Sequence, residues 1–234
     1  MWEPLGPMPR DLLEARLVLQ QAVQLVAAVG QTLARTAPDD SQQSLELSAD
    51  LTAWLGMPAG KVRAGLEPES LILFLADAKG APKANFPLAG RTLQEGLKIL
   101  EAGLDAKLAL PTHPADFPHH AIADGARFPT GGEASRAYVA KLFANTQRLL
   151  AAKSRMWPHH FDLAATIKTV NAGFSPGDGT SGLPYWYATF SKPPKQKPAI
   201  GWRTSGWAGA ELLLAPTTGE AQVKAFFQSA FDAA

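Results

Sequence analysis

The chain has 234 residues, 46% of them hydrophobic, which is enough to bury a core as one large unit or two fused halves and excludes a disordered chain. Lys and Arg total 22 against 21 Asp and Glu, and a formal net charge of +1 leaves no global field to recruit nucleic acid or an anionic membrane. Cysteine is absent, which excludes disulfides, thiolate catalysis and iron–sulfur ligation. Met1-Trp2-Glu3-Pro4 lacks the basic-then-apolar layout of a signal peptide, and the apolar stretch Ala22 to Val29 is interrupted by Gln24 and far short of a membrane span. The expectation is a soluble, cytoplasmic protein.

From Arg10 to Arg35 no proline interrupts a run in which Leu12, Leu19, Val23, Val26 and Leu33 recur at helical spacing, predicting a long helix buried on more than one side. Leu45, Leu47, Ala49, Leu51, Ala53 and Leu55 then alternate with Ser44, Glu46, Ser48, Asp50, Thr52 and Trp54, a period of two that predicts one strand with one wet face. Leu71 to Leu75 is a continuous apolar run, and the Asp77-Ala78-Lys79-Gly80 turn returns it along Lys83 to Leu88 as a hairpin. Three later helices are announced by Thr followed three residues on by Glu, at Thr92/Glu95, Thr130/Glu133 and Thr217/Glu220. The second of these should end near Arg155. Strands are expected over His160 to Val170, Pro184 to Phe190 and Ala208 to Leu214.

The result is an α+β chain with a mostly antiparallel sheet packed against helices. One helix–strands–helix half covers about 9–105, a proline-rich connector about 106–129, and a second such half about 130–234. The order of elements suggests a structural duplication within a single compact unit.

Phe161-Asp162-Leu163-Ala164, Gly173-Phe174-Ser175-Pro176-Gly177 and Pro184-Tyr185-Trp186-Tyr187 resemble a bacterial family described only as a domain of unknown function. The order of elements is similar over nearly the whole chain. The resemblance implies a fold and a bacterial origin, and it brings no list of catalytic residues.

All five histidines fall between His113 and His160, so imidazole chemistry can come from this region alone. On a strand, His160 and Asp162 share one face, a spacing at which they can hold a divalent metal or act as acid and base. A His-x-Asp step also opens the ligand triad of non-heme iron oxygenases, but no histidine follows His160 to close it. If the connector folds back, His119 or His120 completes a metal set with His160 and Asp162. The alternative is structural: His159 and His160, after Pro158, would cap the carbonyls of the preceding helix.

Aromatic residues give a second signal. Tyr185 and Tyr187 share one face of a strand, and with Trp202, Arg203 and Trp207 they would wall a pocket for an apolar or sugar-like ligand, unless they simply fill the core. Lys192, Lys195, Lys197 and Arg203 offer counter-charge to an anionic ligand, or form a solvated loop tip. The glycine-rich turn Gly173 to Gly182 has no Gly-Lys-Ser/Thr ending, so it is not a phosphate loop. Three readings follow: a small-molecule-binding protein, a metal-assisted or His/Asp acid–base hydrolase, and a structural or interaction protein.

Overall fold

The computed structural model describes residues 1–179, 181–192, 194, 201–204 and 207–234. Helix α1 runs Leu12–Leu33 and is buried without a break from Val18 to Gly30. It is long and apolar enough to cross a membrane, yet 83% of its most apolar window is buried inside the protein, which makes it a core helix.

Strands β1 (Leu45–Leu47), β2 (Trp54–Gly56), β3 (Val62–Glu67), β4 (Ile72–Asp77) and β5 (Pro82–Pro87) follow as an antiparallel meander, closed by α2 (Leu93–Leu104). Helix α3 (Glu133–Leu150) opens the second half. Strands β6 (Arg155–Trp157), β7 (Asp162–Ile167), β8 (Val170–Ser175), β9 (Tyr185–Phe190), β10 (Trp202–Arg203) and β11 (Gly209–Leu213) come next, then α4 (Glu220–Asp232).

The described strands form one sheet in the order β10-β11-β9-β8-β7-β6-β1-β2-β3-β4-β5, antiparallel throughout. The halves join where Leu45 of β1 faces Met156 of β6. Buried residues of all four helices pack with alternate strand residues, among them Leu66, Leu73, Phe174 and Trp186, into one large apolar cluster. The other sheet face carries two small clusters, one around Phe74 and Leu55, one around Tyr185 and Tyr187.

One stretch of the second half is similar in sequence to one of the first. Val62-Arg63-Ala64-Gly65-Leu66-Glu67-Pro68 and Val170-Asn171-Ala172-Gly173-Phe174-Ser175-Pro176 share Val, Ala, Gly and Pro at matching positions on β3 and β8. In each stretch the glycine faces an aromatic residue on the next strand, Phe74 opposite Gly65 and Tyr187 opposite Gly173. A Cβ at either glycine would collide with that ring, so the missing side chain is what lets the ring lie flat across the strand.

Several expectations are corrected. The alternating run from Ser44 to Leu55 is a hairpin, because Leu51 takes φ of 64° and the Asp50 carboxylate accepts from Ser48 Oγ at 2.6 Å and from the Thr52 N–H at 3.2 Å, closing a turn. Thr92 and Glu95 form the full capping box, but Gly132 and Gly219 occupy the N-cap positions of α3 and α4, so Thr130 and Thr217 do not cap them. Helix α3 stops at Leu150, where Ala151 turns left-handed, and Arg155 already belongs to β6. Gly173 lies within β8, ahead of the turn.

Candidate functional site

A recess of about 760 Å³ lies against the sheet face opposite the main apolar cluster, entirely on the second-half side. Its wall takes Tyr185, Tyr187 and Thr189 from β9, Asn171 and Ser175 from β8, and Asp162 from β7. Arg203 and Trp207 close one flank, and the connector contributes Asp116 and Pro118. The β6–β7 turn brings His159 and His160, and the first turns of α1 bring Arg16 and Gln20.

Period-two alternation sets this wall. Tyr185, Tyr187 and Thr189 point to the recess while Trp186 points to the core, where its indole N–H donates to Thr146 Oγ1 at 2.9 Å. Because Gly173 has no side chain, the Tyr187 ring crosses β8 and its hydroxyl donates to Asp162 Oδ2 on β7. Burial pushes the Asp162 carboxyl above its ordinary pKa, against the Tyr187 hydrogen bond and nearby His160, which pull it down. Its Oδ1 is closed to solvent and has no partner. The Tyr187 hydroxyl is raised well above its usual value by burial and the adjoining carboxylate. Tyr185 donates to Asp178 Oδ2 at 2.6 Å and is raised for the same reasons.

Arg203 is ion-paired with Glu211 at 3.4 Å and Asp178 at 3.8 Å, and its guanidinium lies 4.9 Å from the Trp207 ring centroid and 5.8 Å from that of Tyr185. These contacts fix the flat flank of the recess. Trp207 stacks on Tyr185 with centroids 6.2 Å apart.

The most informative side chain is Arg16. It is 5% exposed, and its Nε and Nη1 have no hydrogen-bond partner among the described residues. Burial lowers its pKa, while the charge of Asp178 and the hydroxyl of Tyr185 act the other way. Gly177, at φ of 112°, leaves room for it: a Cβ there would sit 2.9 Å from Nη1. A desolvated cation with unused donors is costly, on the order of 1–3 kcal/mol per unmade bond.

One helical turn along from Arg16, Gln20 donates to the His159 carbonyl at 3.1 Å, and a further turn on Gln24 donates to the Pro158 carbonyl at 2.8 Å. Two glutamines at i, i+4 spacing on a buried helix therefore hold the histidine turn in place. Sequence reasoning passed over Arg16 and Gln20. The signal was present, since polar residues at positions 16, 20 and 24 mark one stripe of an otherwise apolar helix.

The expected site residues separate into two groups. His160, Asp162, Tyr185, Tyr187, Arg203 and Trp207 all line the recess. Trp202 does not: neighbouring strand residues face opposite ways, so with Arg203 turned to the recess Trp202 stacks on Phe190, their centroids 5.9 Å apart.

The proposed metal set is also corrected. His119 turns outward to Asp124, with Nε2 to Oδ2 at 2.7 Å and 78% of its side chain exposed. His120 Nδ1 accepts from the Ile122 N–H, and its Nε2 lies 3.2 Å from Glu14 Oε1. His119 and His120 thus already have their own partners, and among the described residues no group of three or more His, Asp or Glu is placed to hold a metal ion.

His159 and His160 sit in the β6–β7 turn rather than at a helix end, their rings 4.2 Å apart, and burial lowers the pKa of His159. His113 stacks on Phe117 at 3.8 Å. Of the basic loop, Lys195 and Lys197 lie outside the described residues, and Lys192 is exposed. Comparison with protein-family models, curated proteins and solved structures gave no match.

Proposed function

We propose that this protein binds a small molecule carrying an acidic group, in the recess between α1 and the second-half strands. The observation that carries this reading is Arg16: a guanidinium held almost out of water, with two donor nitrogens unused, at the wall of a recess. An entering carboxylate or phosphate would supply the missing acceptors through charge-assisted bonds. Arg203, held by Asp178 and Glu211, lines the same recess, and the half-buried Trp207, backed by Tyr185, gives the ligand a flat surface to lie on.

Thermal unfolding with and without a panel of small carboxylates and phosphates tests the proposal. At ten times the dissociation constant a ligand stabilises by about 1.4 kcal/mol. For a chain of this size that raises the melting temperature by roughly 3–5 °C. The shift should vanish in Arg16→Met. An equal shift in that variant removes the basis of the reading.

A second reading rests on Asp162. A carboxyl with a raised pKa, lining a recess beside His160, is the kind of group that exchanges protons with a bound ligand, which favours acid–base hydrolysis without a metal. Turnover of ester or glycoside probes that is lost in Asp162→Asn with binding retained would support it.

A further inference from the structure

We infer that the ligand is a sugar bearing one acidic group. This deepens the proposal above and rests on it. The argument comes from what the wall contains and what it omits. Among the described residues of the recess there is no Leu, Ile, Val, Met or Phe; its apolar surface is aromatic apart from Pro118. Ligand pockets are ordinarily lined mostly by hydrophobic side chains. A recess of about 760 Å³ without an aliphatic wall offers nothing to an acyl chain.

The remainder is polar and chemically mixed. Asn171 and Thr189 present amide and hydroxyl groups that both donate and accept, His160 an imidazole, and Asp116, Asp162 and Asp178 carboxylates. Such a set suits a molecule whose rim is a series of hydroxyls, each able to donate and accept. Hydroxyls also tolerate nearby carboxylates, which a simple anion would not.

One flank is different. Trp207 and Tyr185 stack at an interplanar angle of 23°, braced by Arg203 and by the Asp178 carboxylate on the Tyr185 hydroxyl. Tyr185 is buried behind this stack, so the half-buried Trp207 indole is the part a ligand meets, and the C–H face of a pyranose is a flat apolar partner of that size. The acidic substituent then meets Arg16. Aromatic wall, hydroxyl-bonding rim and one buried guanidinium together describe a uronic acid or a sugar phosphate, which share this chemistry.

Isothermal titration of the full chain separates the alternatives. The probes are D-glucuronate, D-galacturonate and D-glucose 6-phosphate, their neutral parents glucose and galactose, and two acids without a polyol, hexanoate and benzoate. At least one acidic sugar should bind tenfold or more tighter than its neutral parent and than either simple acid. Glucuronate and glucose 6-phosphate distinguish the two kinds of acid. Trp207→Ala should weaken that sugar at least tenfold, with Trp207→Phe retaining most of the affinity and serving as the check that the fold survives. If hexanoate or benzoate binds as tightly as the best acidic sugar, the ligand class is wrong and anion binding stands. If no acid binds at 10 mM, both fall.

Discussion

Replacing Arg16 with methionine should stabilise the unliganded protein while making its recess inert. Two buried guanidinium nitrogens lack acceptors, and each unmade hydrogen bond costs on the order of 1–3 kcal/mol. Methionine keeps a long unbranched stem in the same space and carries no donors. The attraction of Asp178 to the cation is lost, which offsets part of the gain, although Asp178 keeps Arg203 at 3.8 Å. Replacing a buried charge with an apolar side chain is commonly neutral or stabilising by about 1–4 kcal/mol, so a net gain of about 1–3 kcal/mol is expected. At roughly 3 °C per kcal/mol, the melting temperature should rise by about 3–9 °C. Urea and thermal unfolding of wild type and variant, each with and without the best-binding acid, measure both effects at once. A fall in stability of 1 kcal/mol or more, with the ligand-induced shift intact, would mean that Arg16 is a structural cation and that the reasoning fails.

Asp162→Asn should stabilise the protein at neutral pH and not below about pH 4. The folded-state pKa of Asp162 is raised, so the native state holds the proton more tightly than the unfolded chain does; the cost of ionising it appears as pH rises above the unfolded value near 3.9 and is complete above the folded one. Comparing the two urea midpoints across pH 4 to 8 isolates this group, and a pH-independent difference would refute it. Gly173→Ala should cost about 3 kcal/mol and displace Tyr187 from Asp162, because the new Cβ would collide with the Leu163 carbonyl oxygen and sit 2.7 Å from the tyrosine Cζ; unfolding and near-UV circular dichroism report the two effects. Trp207→Ala should weaken ligand binding at least tenfold, whereas Trp202→Ala, on the opposite face, should lower stability and leave affinity unchanged, which a titration of each variant checks.

Much of this fold is written in local patterns. Helix α1, the β4–β5 hairpin and the Thr92 capping box could be read directly, since each depends on neighbours within a few residues. The β1–β2 turn could not, because the alternation of polar and apolar residues continues through it and only the positive φ of Leu51 breaks the strand. Strands β3 and β6 escaped notice because Gly65 and the short Arg155–Trp157 segment weaken their patterns. At the site, β9 was legible because both of its tyrosines fall on one face. Arg16 was not, because its partners in the recess come from the far end of the chain. The histidines drew attention by clustering in sequence, but His119 and His120 satisfy themselves on Asp124, Glu14 and the Ile122 amide before any shared site can form.

Helix α1 opens the first half by chain order, yet its opening turns furnish the second half's recess with Arg16 and clasp the β6–β7 turn through Gln20 and Gln24. The two halves are therefore not independent. A fragment beginning at the connector would inherit the tyrosines and Trp207 but not Arg16, while the leading fragment would keep Arg16 and, in Phe74, a ring without a hydroxyl to offer.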